Sequence, residues 1–204
     1  MFITFEGVEG SGKTTIIKLV EEELKKNYSV LISREPGGSR FAESIRRLLL
    51  DVKNKDITYH TEALLYAASR TQHLIDVIIP NKNKVDIILC DRFIDSSFAY
   101  QGYARKLGFS YIKEINSFAL KHMPDITFYI DLDPKIGISR IRSREKNDRL
   151  DQEKITFHEK VREGYLEISK NYRDRIIVIN GSMSIEKIVN KVLLEINKVK
   201  NEHR

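Results

Sequence analysis

The sequence has little of what marks secreted, membrane-bound or multidomain proteins. Its single cysteine, Cys90, cannot form a disulfide within the chain and lies in an apolar run, where a buried and unreactive thiol is the usual state. No apolar stretch approaches the roughly 18 residues that a membrane-spanning helix needs, and residues 2–5 follow Met1 without a basic leader. These absences predict a soluble cytoplasmic protein with no targeting segment and no membrane partner.

The chain also lacks Ser/Gly/Pro-rich linkers, low-complexity tracts and internal repeats. With 204 residues, of which 41% are hydrophobic, it is long enough to bury a core, so we predict a single domain over residues 1–204. The net charge of +6 would suit a nucleic-acid partner, but it would equally suit a protein whose ligands are polyphosphates. Composition does not separate these two classes of ligand.

Five short runs are solidly apolar rather than alternating, which is typical of strands covered on both faces. They span residues 2–5, 29–33, 85–90, 126–130 and 175–179. Segments with helical periodicity lie between them; for example, Phe157, Val161, Tyr165 and Ile168 share one helix face. The alternation predicts a doubly wound α/β fold, with a five-stranded parallel sheet, helices on both faces and ligands at the carboxyl ends of the strands.

One motif is specific enough to name a class of ligand. It is a P-loop, and it reads Gly7-Val8-Glu9-Gly10-Ser11-Gly12-Lys13-Thr14, followed by Thr15. It follows a predicted strand and opens a predicted helix, which is the context that this motif requires. We expect the backbone N–H groups to hold the phosphates of ATP or GTP, Lys13 to reach the β- and γ-phosphates, and Thr14 to bind Mg²⁺.

Two observations argue against a GTPase switch. No Asp in the chain is followed three residues later by Gly, so the switch element is missing. Residues 83–86 do spell Asn-Lys-Val-Asp, a pattern that reads guanine in GTPases. Here the pattern lies at the amino end of a predicted strand, whereas ligands bind at the carboxyl ends of the strands. We therefore interpret this segment as a turn.

Asp91 and Arg92 directly follow the predicted strand at residues 85–90. An aspartate at the carboxyl end of a strand can hold Mg²⁺ or its water, and an adjacent arginine offers forked donors to phosphate oxygens. A structural Asp–Arg pair is the alternative interpretation. Because of their position beside the P-loop, we predict Thr14 and Asp91 as metal residues and Lys13 and Arg92 as catalytic residues.

Further polar clusters fall where a second substrate would sit. The turn that contains Glu35 and Pro36 has glycines suited to close approach of a ligand, and Arg46 follows on the next helix. Tyr66 and Arg70 are four residues apart and therefore neighbours on a helix, so they could stack on a base and hydrogen-bond its edge; a core aromatic beside a solvated arginine is the alternative. The polar groups that trail Asp91 and Arg92 would suit a neutral ligand edge. They are Ser96, Ser97, Tyr100 and Gln101.

Over essentially its full length the chain resembles the bacterial thymidylate kinases, which phosphorylate dTMP to dTDP with ATP. The matching motifs are Phe-Glu-Gly-Val-Glu-Gly-Ser-Gly-Lys-Thr-Thr at 5–15, Arg-Glu-Pro-Gly-Gly at 34–38, Tyr-Ala-Ala-Ser-Arg at 66–70, Asp-Arg-Phe at 91–93 and Asp-Arg-Leu at 148–150. The resemblance also implies a homodimer.

The resemblance implies roles on the sugar and phosphate of dTMP. Glu9 matches the carboxylate that accepts from the 3′-hydroxyl, and Tyr100 matches the ring that closes the space under C2′ and so favours deoxyribose. Arg46 and Arg92 match contacts to the acceptor phosphate. On the thymine side, Tyr66 matches the stacking aromatic, Arg70 the donor to a carbonyl oxygen, and Ser97 and Gln101 the residues that border the base edge.

A basic run, Arg140, Arg142, Arg144, Lys146 and Arg149, mixes with acids and has no interleaved aromatics, unlike a strand-tracking nucleic-acid surface. The resemblance implies a lid over ATP, at about residues 140–151. Because Gly10 and not Arg follows Glu9, the chain resembles the subgroup in which lid arginines supply the catalytic positive charge. Arg149 is the first candidate for that charge and Arg144 the second.

We therefore expect a kinase that transfers the γ-phosphoryl group of ATP to dTMP, with Mg²⁺, for nucleotide biosynthesis, and with no nucleic-acid partner. The nearest alternative is another P-loop kinase for a small acceptor, such as a deoxynucleoside kinase. That enzyme needs a base for its sugar hydroxyl, whereas several arginines here indicate an acceptor that already carries phosphate. An ATP-dependent nucleic-acid-binding regulator is the alternative from another class.

Overall fold

The structure is a computed structural model that describes residues 1–142 and 148–202, and within them five parallel strands form one sheet. They are β1 (Phe2–Glu6), β2 (Val30–Arg34), β3 (Ile87–Asp91), β4 (Ile126–Asp131) and β5 (Ile176–Asn180). Their order in the sheet is β2-β3-β1-β4-β5, so β1 lies at the centre and carries the P-loop at its carboxyl end. All five predicted strands are confirmed.

Helices connect the strands. They are α1 (Lys13–Leu24), α2 (Arg40–Leu50), α3 (Tyr59–His73), α4 (Ile79–Asn81), α5 (Ile94–Ser97), α6 (Phe109–Ile115), α7 (Pro134–Arg142), α8 (Ile155–Asn171) and α9 (Ile185–Glu202). A π-helical turn, Leu74–Ile78, joins α3 to α4, another, Phe98–Ala104, extends α5, and a 3₁₀ turn, Ala119–His122, precedes β4. Residues 83–86 precede β3 outside any helix or strand, at the end of the sheet opposite the P-loop.

Both faces of the sheet are covered, which confirms the doubly wound α/β fold. On one face, Ile3 and Phe5 of β1 pack with Ile16 of α1 and Val192 of α9. On the other face, Phe2 belongs to the core that includes residues of α3, α5 and α8. Apolar residues on both sides of β1, β3 and β4 are thus explained, because a strand with helices above and below it has no solvent face.

Helix α8 packs closely against the π-helical turn Phe98–Ala104. Its predicted apolar face is confirmed, since Phe157, Val161, Tyr165 and Ile168 are all buried. Gly164 makes the close approach feasible, because a Cβ at this position would lie 2.9 Å from Cβ of Tyr103. The turn under this helix carries Tyr100 and Gln101, so the packing of α8 sets the position of two predicted substrate residues.

Cys90 is fully buried in β3, and burial raises the pKa of its thiol well above the usual value. The expectation of a buried thiol is confirmed, and a raised pKa disfavours the thiolate, which is the reactive form. Within residues 1–142 and 148–202, none of the helices combines the length and apolar character needed to span a bilayer.

Candidate active site

The carboxyl ends of β1, β2 and β3 open onto one cleft, which is where ligands bind in open α/β sheets. Most of the predicted site residues line it: Glu9, Gly10, Ser11, Gly12, Lys13, Thr14, Thr15, Glu35, Pro36, Arg46, Tyr66, Arg70, Asp91, Arg92, Ser96, Ser97, Tyr100 and Gln101. Gly7 and Val8 lie at the base of the loop instead. The sequence motifs are thus brought together from distant parts of the chain.

The P-loop at residues 7–14, called the phosphate cradle below, forms its turn because its glycines adopt left-handed backbone conformations. The angle φ is 70° at Gly10 and 90° at Gly12. Gly10 also lies against α7, since a Cβ on Gly10 would clash with the carbonyl oxygen of Gly137. Arg140, on the same helix, donates to the carbonyl oxygen of Gly10 at 3.2 Å. In this arrangement the space beside Glu9 is filled by helix backbone and excludes any side chain at position 10.

Lys13 is the first residue of α1 and is buried at the centre of the cradle. Its Nζ donates to the carbonyl oxygens of Gly7 and Val8 at 3.0 and 3.1 Å, and to Oγ of Ser11 at 3.2 Å. Burial, and then the nearby charge of Arg92, lower the pKa of Lys13 to about 8. The ammonium group is still mostly protonated at pH 7, so it presents a positive charge where phosphates would enter.

The two predicted metal residues are adjacent. Oγ1 of Thr14 donates to Oδ2 of Asp91 at 2.9 Å, which joins the first turn of α1 to the end of β3. Hydroxyl and carboxylate oxygens are the ligands that Mg²⁺ prefers, and this ion characteristically takes its remaining ligands from water and substrate phosphates. The donor set fits Mg²⁺.

Arg92 has a strained backbone and a side chain that is hydrogen-bonded through both of its Nη atoms. It follows β3 with φ of 70°, a conformation that residues other than glycine seldom adopt and that recurs at functional sites. Its Nη2 donates to Oε1 of Glu9 at 3.0 Å, and its Nη1 donates to Oγ of Ser96 at 3.3 Å and to the hydroxyl of Tyr165 at 3.1 Å. The guanidinium is therefore fixed in orientation at the border between the cradle and the predicted acceptor side.

Glu9 is the acidic member of the cradle, and its carboxylate receives three donors. Oε1 accepts from Arg92 and from the hydroxyl of Tyr100 at 2.6 Å, while Nδ1 of His158 lies 3.2 Å from Oε2. Burial on its own would raise the pKa of Glu9, but the charge of Arg92 and the hydrogen bond from His158 outweigh it and lower the pKa below the usual range. Glu9 is thus an ionised carboxylate at any pH near neutrality.

Arg46 is the second guanidinium at the predicted acceptor phosphate. Its Nη1 donates to the carbonyl oxygen of Pro36 at 2.7 Å, so the turn after β2 anchors one side of the fork. The side chain lines the cleft and is half-buried. Arg46 and Arg92 thereby place two phosphate-binding groups in the same cleft.

Tyr66 and Arg70 both line the cleft and both are buried, with Arg70 only 2% exposed. Nε of Arg70 donates to Oε2 of Glu35 at 2.7 Å, and Nη1 donates to Oδ1 of Asn116 at 2.6 Å. Nδ1 of His73 lies 2.9 Å from the other oxygen of Glu35. The carboxylate of Glu35 therefore holds Arg70 in place, a role that the sequence did not indicate.

Gln101 and Ser97 offer polar atoms beside Tyr66 and Arg70. Nε2 of Gln101 donates to Oε1 of the buried Glu62 at 2.9 Å. Because an ionised carboxylate only accepts hydrogen bonds, this contact assigns the amide orientation and leaves Oε1 of Gln101 as the acceptor on the cleft side. Oγ of Ser97 is buried and has no hydrogen-bond partner within the described residues, which is typical of a group that awaits a ligand or water.

Arg149, the first candidate for a catalytic lid charge, does not line the cleft in this structure. Its Nη2 donates to Oε2 of Glu62 at 2.6 Å, and its Nε donates to the carbonyl oxygen of Leu49 at 2.9 Å. Arg105 shares the same carboxylate at 3.4 Å. Arg144, the second candidate, lies outside the described residues, as does the rest of segment 143–147 of the predicted lid.

Sequence reasoning missed the buried polar groups that hold the site: Glu6, Glu62, His73, Asn116, His158 and Tyr165. Glu6 gave a usable signal, because a charged residue ends a central strand that is otherwise uncharged and mostly apolar. Its Oε1 accepts from the backbone N–H of Phe93 at 2.7 Å, and its Oε2 accepts from Ser96 at 2.6 Å and Tyr165 at 2.8 Å. Glu6 thus supports the two hydroxyls that contact Arg92.

The buried Glu6 should make stability depend on pH. Burial, and then the nearby Asp95, raise its pKa from 4.5 to about 7, so its favourable contribution is complete below pH 4.5 and is lost as the pH rises through 7. Glu6→Gln removes this loss, and each pKa unit corresponds to about 1.4 kcal/mol. Glu6 also accepts hydrogen bonds from Phe93, Ser96 and Tyr165, so the prediction concerns the difference between the two melting temperatures. We expect the melting temperature of the variant, relative to that of the parent, to be higher at pH 8 than at pH 5.

Thermal unfolding at the two pH values tests this prediction, with Glu22→Gln as the exposed control. An equal difference between the Glu6→Gln variant and its parent at pH 5 and pH 8 would show that Glu6 does not titrate in this range.

Comparisons with known proteins agree with this geometry. The family described as thymidylate kinase matches residues 5–192. The thymidylate kinase of Acholeplasma laidlawii is 60% identical over 201 residues, covering 97% of this chain and 99% of that protein. That of a Geobacillus strain is 50% identical, covering 92% and 91%. The crystal structure of thymidylate kinase from Ehrlichia chaffeensis superposes with a TM-score of 0.78 at 36% identity, covering 97% and 98%.

Proposed function

Because the chain belongs to the thymidylate kinase family and transfers the γ-phosphoryl group of ATP to dTMP, we propose that the cleft at the ends of β1, β2 and β3 is where this transfer occurs. The observation that carries the proposal is the contact between Glu9 and Arg92. It joins the phosphate cradle to the predicted acceptor side, so one ion pair borders both substrates. The comparisons give no support to the deoxynucleoside kinase or regulator alternatives.

The cradle is the proposed ATP site. Backbone N–H groups of the loop and the N-terminus of α1 would face the phosphates. Nζ of Lys13 would then donate to phosphate oxygens in place of the carbonyl oxygens of the loop. Thr14 and Asp91 would hold Mg²⁺, directly or through water, and the ion would neutralise charge on the phosphates. The 2.9 Å contact between these two side chains supports the assignment.

The acceptor side is the proposed dTMP site. Arg46 and Arg92 bind its phosphate, and Glu9 accepts from the 3′-hydroxyl while Tyr100 packs under the sugar. The thymine stacks on Tyr66. Its edge meets Arg70, Ser97 and Gln101, with Glu35 and Pro36 at the adjoining turn. Ser96, also predicted as a substrate residue, is instead hydrogen-bonded to Arg92 and Glu6 and would act through Arg92. The free acceptor of Gln101 suits the N3–H of thymine, a donor that the cytosine ring lacks.

The reaction needs no general base. A phosphate oxygen of dTMP is already anionic near neutral pH, so it can attack the γ-phosphorus in line as the bond to ADP breaks. The chain contributes positioning and positive charge through Lys13 and Arg92. Lid arginines Arg149 and Arg144 stay predictions for additional charge, and Arg149 would have to break its ion pair with Glu62 and form one with a phosphate when the lid closes.

A panel of phosphoryl acceptors tests the proposed function. We expect dTMP to be favoured over dUMP, CMP, AMP and thymidine with ATP and Mg²⁺, and over thymidine by about 10²-fold or more in kcat/KM, because thymidine offers nothing to Arg46 and Arg92. The measurement is ADP formation at matched acceptor concentrations, with ATP alone as the control for hydrolysis. A preference for thymidine over dTMP would overturn the proposal.

We also propose a homodimer and a reducing, cytoplasmic location, the latter because the lone Cys90 is a buried thiol. Large apolar side chains are exposed on α2 and α3, which pack on each other; Phe41 is 60% exposed, Leu48 46% and Leu64 50%. Phe41 and Leu48 are seven residues apart and share one helix face. A second copy of the chain would bury this apolar surface.

Charge introduced on this surface should dissociate the dimer. We expect Phe41→Glu to weaken self-association by about 10²-fold, since burying an unpaired carboxylate in an interface is costly. Sedimentation velocity over a concentration series measures the change. The control is Leu194→Glu on α9, a side chain that is 55% exposed and lies on another element. A monomeric parent protein, or a Phe41→Glu variant that still dimerises normally, would contradict the proposal.

A further inference from the structure

His158 is the one donor to Glu9 that comes from α8, and its ring is fully buried. Nδ1 lies 3.2 Å from Oε2 of Glu9. An ionised carboxylate accepts hydrogen bonds and cannot donate them, so Nδ1 must carry the proton. Nε2 is buried without a hydrogen-bond partner among the described residues, so the tautomer with the lone pair on Nε2 avoids a buried unsatisfied donor.

The donors to Glu9 are unevenly divided between its two oxygens. Oε1 receives both Arg92 and Tyr100, which occupies its two lone-pair directions. Two contacts at Oε1 hold that oxygen, but the rest of the carboxylate can still pivot around it when the side-chain torsions of Glu9 change. The hydrogen bond from His158 to Oε2 holds the second oxygen and so restrains this pivot.

The same division determines where a ligand hydroxyl can bind. Of the roughly four acceptor directions of a carboxylate, three are in use, and the fourth belongs to Oε2. Glu9 lines the cleft and keeps 12% of its side chain exposed, whereas His158 does not line the cleft. A hydroxyl in the cleft would therefore donate to Oε2, the atom that His158 orients.

We propose that His158 is a positioning residue that aims Oε2 of Glu9 at the 3′-hydroxyl of dTMP and so sets the preference for acceptors that carry this hydroxyl. The proposal rests on the proposed role of Glu9. His158 touches neither substrate, and its whole contribution passes through the carboxylate. Removing it should penalise acceptors with a 3′-hydroxyl and spare acceptors without one.

Two amide substitutions test the position of the donor. In His158→Asn the amide nitrogen falls near the place of Nδ1, whereas in His158→Gln it falls near the place of Nε2. Turnover is measured with dTMP and with 2′,3′-dideoxythymidine monophosphate, and the readout is the ratio of the two kcat/KM values. We expect His158→Gln to lower this ratio by about tenfold, in line with the loss of one charge-assisted hydrogen bond, and His158→Asn to retain most of it.

A double-mutant cycle tests whether the effect passes through Glu9. Once Glu9→Gln has removed the carboxylate, His158→Gln should leave the ratio unchanged. Lys160→Ala, an exposed neighbour on α8, is the control and should behave like the parent. Melting temperatures of all variants identify any that fail to fold. If His158→Gln fails to fold, the ratio measured for His158→Asn is compared directly with that of the parent.

The outcomes separate this inference from the proposed function. If the parent does not phosphorylate dTMP, the proposed function fails; if the parent does so but shows no preference for the 3′-hydroxyl, the role of Glu9 fails and the inference with it. If the parent shows the preference and both amide variants lose turnover of the two acceptors by the same factor, His158 is merely structural and the inference is overturned. An Asn variant whose ratio falls as far as that of the Gln variant would also overturn it.

Discussion

Lys13→Ala should lower kcat for dTMP phosphorylation by about 10³-fold, a loss at the upper end of those seen when one preorganised charge-stabilising group is removed. The expectation follows from the place of the ammonium group, which is buried at the centre of the cradle and held by Gly7, Val8 and Ser11. Charge that develops on the transferred phosphoryl group would lose its nearest compensation. Single-turnover kinetics with saturating ATP would measure the loss in the chemical step.

The control for this prediction lies on the same helix. Lys18 is exposed on α1, so Lys18→Ala makes the same chemical change outside the cleft and should leave kcat unaltered. Because Lys13 also ties the loop together, the melting temperature of the Lys13→Ala variant has to be compared with that of the parent. Turnover within tenfold of the parent in a folded variant would show that the cradle does not serve the reaction.

The elements that sequence predicted well are those whose signals are local. The five strands are short apolar runs, and β1, β3 and β4 are apolar because helices cover both of their sides. The cradle is also local, since its glycines and Lys13 lie within eight consecutive residues whose spacing matches one backbone geometry. Asp91 and Arg92 were found for a related reason, as polar residues directly after an apolar strand.

What the sequence could not supply are pairings between distant segments. Glu62 binds Gln101, Arg105 and Arg149, but nothing in its helix indicates that one carboxylate would meet three partners from other elements. Arg149 was predicted to supply catalytic charge because the resemblance implies a lid that contains this basic run. Its partner, rather than its own type, decides where the guanidinium lies, and that partner is 87 residues away.

His158 illustrates the same limit. On the sequence it stands beside Phe157 on the apolar face of α8, where a histidine is usually a core residue. Only the fold brings Nδ1 within 3.2 Å of Glu9, across 149 residues of chain. The residues predicted to contact substrates lie in short motifs, whereas the residues that orient their side chains are brought to them only by the packing of the helices.

Arg92 depends on both a local sequence signal and contacts with distant segments. Its position after β3 was evident from sequence, but its orientation depends on Ser96, Tyr165 and Glu9, which reach it from three other segments. Two separate N–H groups are engaged in different directions, a task that suits a planar guanidinium and that a lysine ammonium cannot reproduce. The left-handed backbone, with φ of 70°, adds strain that these contacts stabilise.

We therefore expect Arg92→Met to reduce kcat/KM for dTMP by about 10³-fold or more, and Arg92→Lys to recover only a small part of this loss, because charge without the fork does not restore orientation. The Met variant also leaves Glu9 without its principal cation beside an anionic substrate. KM for ATP should change far less than KM for dTMP. Arg173→Met, at an exposed position, is the control; an Arg92→Lys variant as active as the parent would show that the fork geometry is not needed.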